Sequence, residues 1–282
     1  MTDAFEPYRD FLVRLAYRML GSFAEAEDVV QDAFLRWHDV DHAAVAHPRA
    51  YLARVVSRLC LDRMKSATAQ RETYVGTWLP EPLVTHPGEP LVDDLSLALL
   101  MMLERLSPLE RAAFLLHDVF DMDYGDIAET LDRSEAACRQ LAARAREHVR
   151  QDKPRFPTND KTRDQLVEAF MAAAFRGDVE ALAQTLAEQA VMYADGGGKR
   201  SAALRPIYGR DAIVSFFRGI VNNPSNRTSL ALENIERVDI NGLPGFLVRA
   251  LDGVQTIAFE VGGDRIGAIY VVRNPDKLRH LS

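Results

Sequence analysis

Two proline-crowded breaks divide this chain and limit what it can fold into. Between residues 73 and 90 stand Gly76, Pro80, Pro82, Pro87, Gly88 and Pro90, and a shorter break at 153–160 holds Pro154 and Pro157. Proline fixes φ and removes a backbone donor, so neither stretch can continue a helix or enter a central strand. The first should run extended rather than floppy. Before and between the breaks, apolar residues recur at three and four, the period of helices. Beyond residue 160 the pattern changes. Helical stretches at 163–176 and 179–188 give way to runs rich in Val, Ile, Phe and Tyr at 190–194, 229–239, 245–251, 255–261 and 265–272, interrupted by a helix at 209–221. The expected architecture is multidomain. All-α domains cover 1–70 and 93–152, linkers cover 71–92 and 153–160, and an α+β domain over 161–282 wraps a curved antiparallel sheet around helices.

The first ten residues carry acids and no apolar stretch, and no apolar run approaches the roughly 18 residues of a membrane span. Cys60 and Cys138 stand far apart without neighbouring histidines, so neither a disulfide framework nor a metal site is expected. A cytoplasmic protein without cofactor fits these features. The net charge of −7 argues against nucleic acid until its distribution is read. Residues 48–71 hold six bases and one acid, and residues 133–150 hold five bases and two acids, while 1–41 and 93–132 are acidic. Two short basic stretches among acidic ones suit a protein that touches DNA at two places and another partner elsewhere.

The second basic stretch has the form of a helix-turn-helix. Ser107, Pro108 and Glu110 mark a helix start. A helix over 124–131 is followed by a turn at Asp132-Arg133, and Ser134 caps the next helix. At 100° per residue, Cys138, Leu141, Ala142, Ala145 and Val149 fall on one apolar arc. Ala136, Arg139, Gln140, Ala143 and Arg144 fall on the other. Arginine can fork onto guanine, glutamine can pair with adenine, and alanines let the backbone approach the groove.

The N-terminal helices are also sorted by face. Asp28, Gln31, Asp32 and Leu35 form an acidic stripe with one apolar anchor, suited to a basic protein surface. After Pro48, Arg54, Arg58 and Lys65 share a basic stripe bordered by Tyr51, whose ring could stack on a displaced base.

These residues carry a resemblance. AEDVVQDAFLRWHDV (26–40) and HPRAYLARVVSRLCLDRMKS (47–66) resemble domain 2 of extracytoplasmic-function (group IV) RNA polymerase sigma factors. LSPLERAAFLLHDVFDMDYGDIAETLDRSEAACRQLAARARE (106–147) resembles their domain 4. TWLPEP (77–82), DGGGK (195–199) and NPDKL (274–278) are similar to the SigJ-type subgroup, which carries a SnoaL-like domain behind domain 4. The resemblance implies that Asp28, Gln31, Asp32 and Leu35 dock on the clamp helices of the polymerase β′ subunit, while the β flap takes the apolar part of domain 4. It implies that Tyr51, Arg54, Arg58 and Lys65, with the loop 39–47, engage the −10 element. Ser134, Ala136, Arg139, Gln140, Ala143 and Arg144 would read the −35 element.

The C-terminal domain reads as regulatory rather than catalytic. No histidine lies between 158 and 279, which leaves Tyr193, Asp195, Tyr208 and Asp211 as polar candidates for a ligand pocket. Asp195 beside three glycines suggests a tight loop whose backbone meets another surface. The expectation is a module acting in cis, in which Asp195, Gly196, Gly197, Gly198 and Lys199, with the tail Asn274, Pro275, Asp276, Lys277 and Leu278, pack near Trp78, Leu79 and Pro80. Such a domain could replace a separate anti-sigma factor in a monomeric protein. The rival readings are a ligand-sensing helix-turn-helix regulator and an enzyme with a DNA-binding appendage.

Overall fold

The computed structural model of the 282-residue chain describes residues 5–71, 74–86, 97–150, 160–222 and 234–281. Two compact units emerge: Met1–Thr73 with Ala98–Lys153, and Tyr74–Leu97 with Pro154–Ser282.

The first unit is helical: α1 (Glu6–Leu20), α2 (Phe23–His38), α3 (Pro48–Arg71), α4 (Leu97–Glu104), α5 (Pro108–Phe114), α6 (Tyr124–Leu131) and α7 (Glu135–Arg150). Local chemistry sets the ends. Gly21, left-handed at φ 71°, closes α1 by donating its N–H to the Tyr17 carbonyl at 2.7 Å. Ser22 then accepts the Glu25 N–H to open α2. Ser107 and Glu110 form a reciprocal capping box on α5. Its hydrogen bond from Ser107 holds the Glu110 carboxyl below the usual carboxylate range. After α5 the chain makes a π turn, Leu115–Val119, in which the Phe120 N–H reaches the Leu115 carbonyl. Leu12, Leu15, Met19, Val30, Leu52 and Val56 are buried in the core where α1, α2 and α3 meet. Arg111, 1% exposed, ties α5 to α1 by donating Nη1 to the Met19 carbonyl at 2.6 Å and to Glu104 at 2.7 Å.

The second unit contains β1 (Val84–Thr85), α8 (Asp160–Arg176), α9 (Val179–Thr185), β2 (Leu186–Asp195), β3 (Ile207–Tyr208), α10 (Arg210–Asn222), β4 (Ile235–Ile240), β5 (Leu243–Ala250), β6 (Gly253–Gly262) and β7 (Arg265–Val272). The sheet order is β1-β4-β5-β6-β7-β2-β3. One face carries the main core, where Phe170 of α8 meets Phe217 of α10 and Phe259 of β6 edge-on, with Leu182, Ile213 and Ile269 around them. The residues that alternate with these, Leu247, Thr256, Ala258 and Tyr270, are buried too. Gly245 is required in β5, because a Cβ there would lie 2.4 Å from the Ile257 carbonyl oxygen.

Three features differ from the sequence reading. The sheet is mixed rather than antiparallel: β2 and β7 pair in parallel, from Leu186 opposite Ile266 to Asp195 opposite Val272. The α10 crossover carries the chain to the far edge, and the β4–β7 meander returns it beside β2 in the same direction. The helix expected over 179–188 stops at Thr185, where sheet pairing overrides the helical propensity of Leu186-Ala187-Glu188. The linker contains a strand that the sequence reading did not expect. Residues 74–83 run extended on the second unit, and Val84–Thr85 add an edge strand to β4. The strand expected from 229 lies outside the described residues as far as 233, as does the 153–160 linker as far as 159.

Candidate nucleic-acid interface and linker clasp

The helix-turn-helix is α6 and α7. Asp123 caps α6, Asp132 leaves it at φ 54°, and Ser134 Oγ accepts the Ala137 N–H at 3.3 Å to start α7. Cys138, Ala142 and Ala145 are fully buried, whereas Ala136, Arg139, Gln140, Ala143 and Arg144 are exposed along one face. Arg144 lies 3.9 Å from Glu110, and Arg139 donates to Glu135 at 2.8 Å.

On α2, Asp28, Gln31 and Leu35 are exposed, Leu35 by 56%. Sequence reasoning missed Arg63 of α3, which reaches Asp28 at 3.6 Å and Asp32 at 3.3 Å and tempers the acidic stripe. The helical period puts Arg63 on a face of α3, but only the packing of α2 against α3 brings it to these carboxylates.

The basic stripe of α3 is split. Lys65 is exposed and pairs with Asp62. Arg54 and Arg58 meet the C-terminal end of α6, with Arg54 Nη2 2.5 Å from Glu129 Oε2. Arg58 donates Nη2 to the Glu129 carbonyl at 2.7 Å and Nε to the Thr130 carbonyl at 3.1 Å. The last carbonyls of a helix are the negative end of its dipole, so they attract a guanidinium. Tyr51 is half-buried against Trp37, whose other neighbour is the stacked ring of His42. A cleft of about 500 Å³ opens beside the 39–47 loop, between residues 46–50 and a wall that includes Asp121, Asp123 and Asp126.

The motif segments of the second unit converge on one buried carboxylate. Asp195 is 0% exposed, and its Oδ1 accepts the Tyr74 hydroxyl at 2.5 Å and the Gly197 N–H at 3.0 Å. Oδ2 accepts the Leu79 N–H at 2.9 Å and Lys277 Nζ at 2.7 Å. Lys277 also donates to the Leu79 carbonyl and sits 4.1 Å from the centroid of the Trp78 ring. Asn274 completes the ring of contacts through Nδ2 to the Tyr74 hydroxyl at 2.9 Å. A Cβ at Gly197, where φ is +60°, would fall 2.3 Å from that Asn274 amide. Lys199 pairs with Asp276 at 2.5 Å and holds the Asp276 carboxyl below its ordinary range. Burial, reinforced by the hydrogen bond and charge of Asp195, pushes the Tyr74 phenol upward.

Leu79, Pro80 and Leu278 are buried and Gly196 is enclosed, while Gly198 and Pro275 lie at the surface. The sequence pointed to the backbone of this loop, yet the Asp195 side chain makes the central contacts. Tyr74, just outside TWLPEP, was missed. The pocket candidates do not converge: Tyr208 is exposed, Asp211 pairs with Arg210, and Tyr193 stacks on Tyr270. Among the described residues, no cluster of His, Cys, Asp or Glu could hold a metal, and no helix is long and apolar enough to cross a membrane.

Comparison with known proteins matches this arrangement. Residues 4–70 fit the model of sigma-70 region 2, and residues 96–149 fit that of sigma-70 region 4. The ECF RNA polymerase sigma factor SigJ of Mycobacterium tuberculosis is 39% identical over 97% of this chain and 91% of its own length. The probable ECF sigma factor SigI of the same species is 32% identical over 99% and 94%. The crystal structure of M. tuberculosis SigJ superposes with a TM-score of 0.80 at 36% identity, covering 99% of this chain and 98% of that one. Two sigma regions in order, a helix-turn-helix with an exposed polar face on its second helix and similarity to SigJ over 97% of the chain lead to one conclusion: the chain belongs to the ECF RNA polymerase sigma factors.

Proposed function

We propose that this sigma factor docks on core polymerase through Asp28, Gln31, Asp32 and Leu35, meets the −10 element with α3 and reads the −35 element with α7. Its C-terminal domain controls initiation in cis, through the linker that it holds. In this reading the protein works in the cytoplasm as a monomer, and the fused domain takes the place of a separate anti-sigma factor. Contacts to the β′ clamp helices and the β flap follow from the family rather than from any partner present here.

The observation that carries the cis reading is the Asp195 carboxylate. It binds Leu79 and Tyr74 of the linker and Lys277 of the tail at once. A loop, a linker and a tail joined through one buried charge make a contact that packing alone does not require. On α3, Arg54 and Arg58 would have to exchange the end of α6 for DNA when a promoter arrives.

The test is run-off transcription with core polymerase, comparing the full chain, a truncation from Asn274 and Lys277→Met. Altered promoter activity in folded variants supports the cis reading. Unchanged activity in both would sink it, and failure of the full chain to initiate at any promoter would sink the DNA assignments.

A further inference from the structure

The base-reading candidate Arg139 is held by a residue of the other helix in its motif. Its guanidinium carbon lies 4.9 Å from the centroid of the Tyr124 ring. Tyr124 opens α6, and two neighbours hold it in place. Its hydroxyl accepts Arg146 Nη2 at 3.1 Å, and Arg146 Nε is in turn bound to Asp118 at 2.6 Å. The His117 ring packs against it with centroids 4.1 Å apart, and His117 Nδ1 is 2.9 Å from the Met122 carbonyl. His117 and Asp118 are delivered there by the π turn that follows α5.

We propose that Tyr124 is a positioning residue for sequence readout, fixing the guanidinium of Arg139 for the base it contacts. The inference rests on the reading of α7 as the −35 helix. A cation over an aromatic ring uses its face, so the N–H donors along its edge stay available for a base. In the free protein the Glu135 carboxylate takes one of those edge positions, at 2.8 Å. Glu135 precedes Arg139 by one helical turn, so it can yield to a base without any backbone movement. An arginine without the ring would sample many rotamers, and its discrimination between bases would fall before its attraction to phosphate did.

The experiment measures binding of holoenzyme to a promoter set carrying every single substitution in the −35 element. Arg139→Ala first identifies the base pair at which selectivity disappears. Tyr124→Leu should then lower the preference for the cognate base at that pair by about fivefold, with little change at other pairs. Tyr124→Phe keeps the ring and should retain selectivity within about twofold. In an Arg139→Ala background, Tyr124→Leu should change selectivity no further. Equal losses at every pair, a further loss without Arg139, or unaltered selectivity would each overturn the proposal. Should Arg139→Ala weaken all sequences alike, the reading of α7 fails first, an outcome visible before Tyr124 is touched.

Discussion

Lys277 Nζ lies 2.7 Å from the Asp195 carboxylate, and the two side chains are only 12% and 0% exposed. Withdrawing both charges from water is costly, and their mutual attraction offsets that cost only while both are present. The tail, which supplies the lysine, and β2, which supplies the aspartate, therefore depend on each other.

Removing one partner should be expensive. Lys277→Met is expected to destabilise the C-terminal unit by about 3–5 kcal/mol, because it leaves a buried carboxylate uncompensated. Urea denaturation followed by Trp78 fluorescence in a Trp37→Phe background measures this. Adding Asp195→Asn should recover part of the loss. A double variant as unstable as the single one would assign the loss to the lysine stem packed on Trp78.

Alkaline pH should loosen the clasp. The folded-state pKa of Tyr74 is raised, so the phenol's contribution is fully present below the unfolded value of about 10. That contribution declines as pH climbs through the folded value, since the unfolded chain gives up the proton first. Thermal melts from pH 8 to 11 should fall more steeply for the wild type than for Tyr74→Phe. Parallel curves would remove Tyr74 from the account.

The pair between α6 and α3 should limit access to the basic stripe. Glu129→Gln weakens the partner of Arg54 at a site where the glutamate side chain is 64% exposed, so stability should change by less than about 1 kcal/mol. Binding of single-stranded −10 oligonucleotides by the free protein is expected to rise by about two- to fivefold. No rise would mean that the Arg58 contacts to the Glu129 and Thr130 carbonyls suffice to hold α6 in place.

Arg139→Ala should cost about 1–3 kcal/mol of promoter binding if the side chain forks onto a base. A filter-binding series on the promoter and on random DNA separates the two kinds of contact. An equal loss on both would make Arg139 a phosphate contact.

Much of this was legible in the sequence, because helical periodicity is a local property. Buried Cys138 and Ala142 and exposed Arg139 and Ala143 fall on different arcs of α7, as a 100° step sorts them, and Ser107 with Glu110 announces the start of α5 within four residues. What stayed hidden depended on distant partners. The direction of β2 relative to β7 is decided across more than seventy residues. Arg58 reads as a DNA contact from its own helix, yet its present partners lie on α6. Asp195 looks like a loop residue among glycines. Its burial follows only once Tyr74 and Lys277, far apart in the chain, arrive beside it.

The edge strand Val84–Thr85 and the clasped residues before it have a consequence for reach. In the proposed reading, residues 74–85 belong to the tether between the −10 helix α3 and the −35 helix α7, and while docked they add no slack to it. Once undocked, the same twelve residues would supply up to roughly 40 Å of contour. The local concentration of one reader at the other's site falls as such slack grows. On that reading a docked tether would favour a narrow range of promoter spacer lengths, and an undocked one would trade that stringency for tolerance.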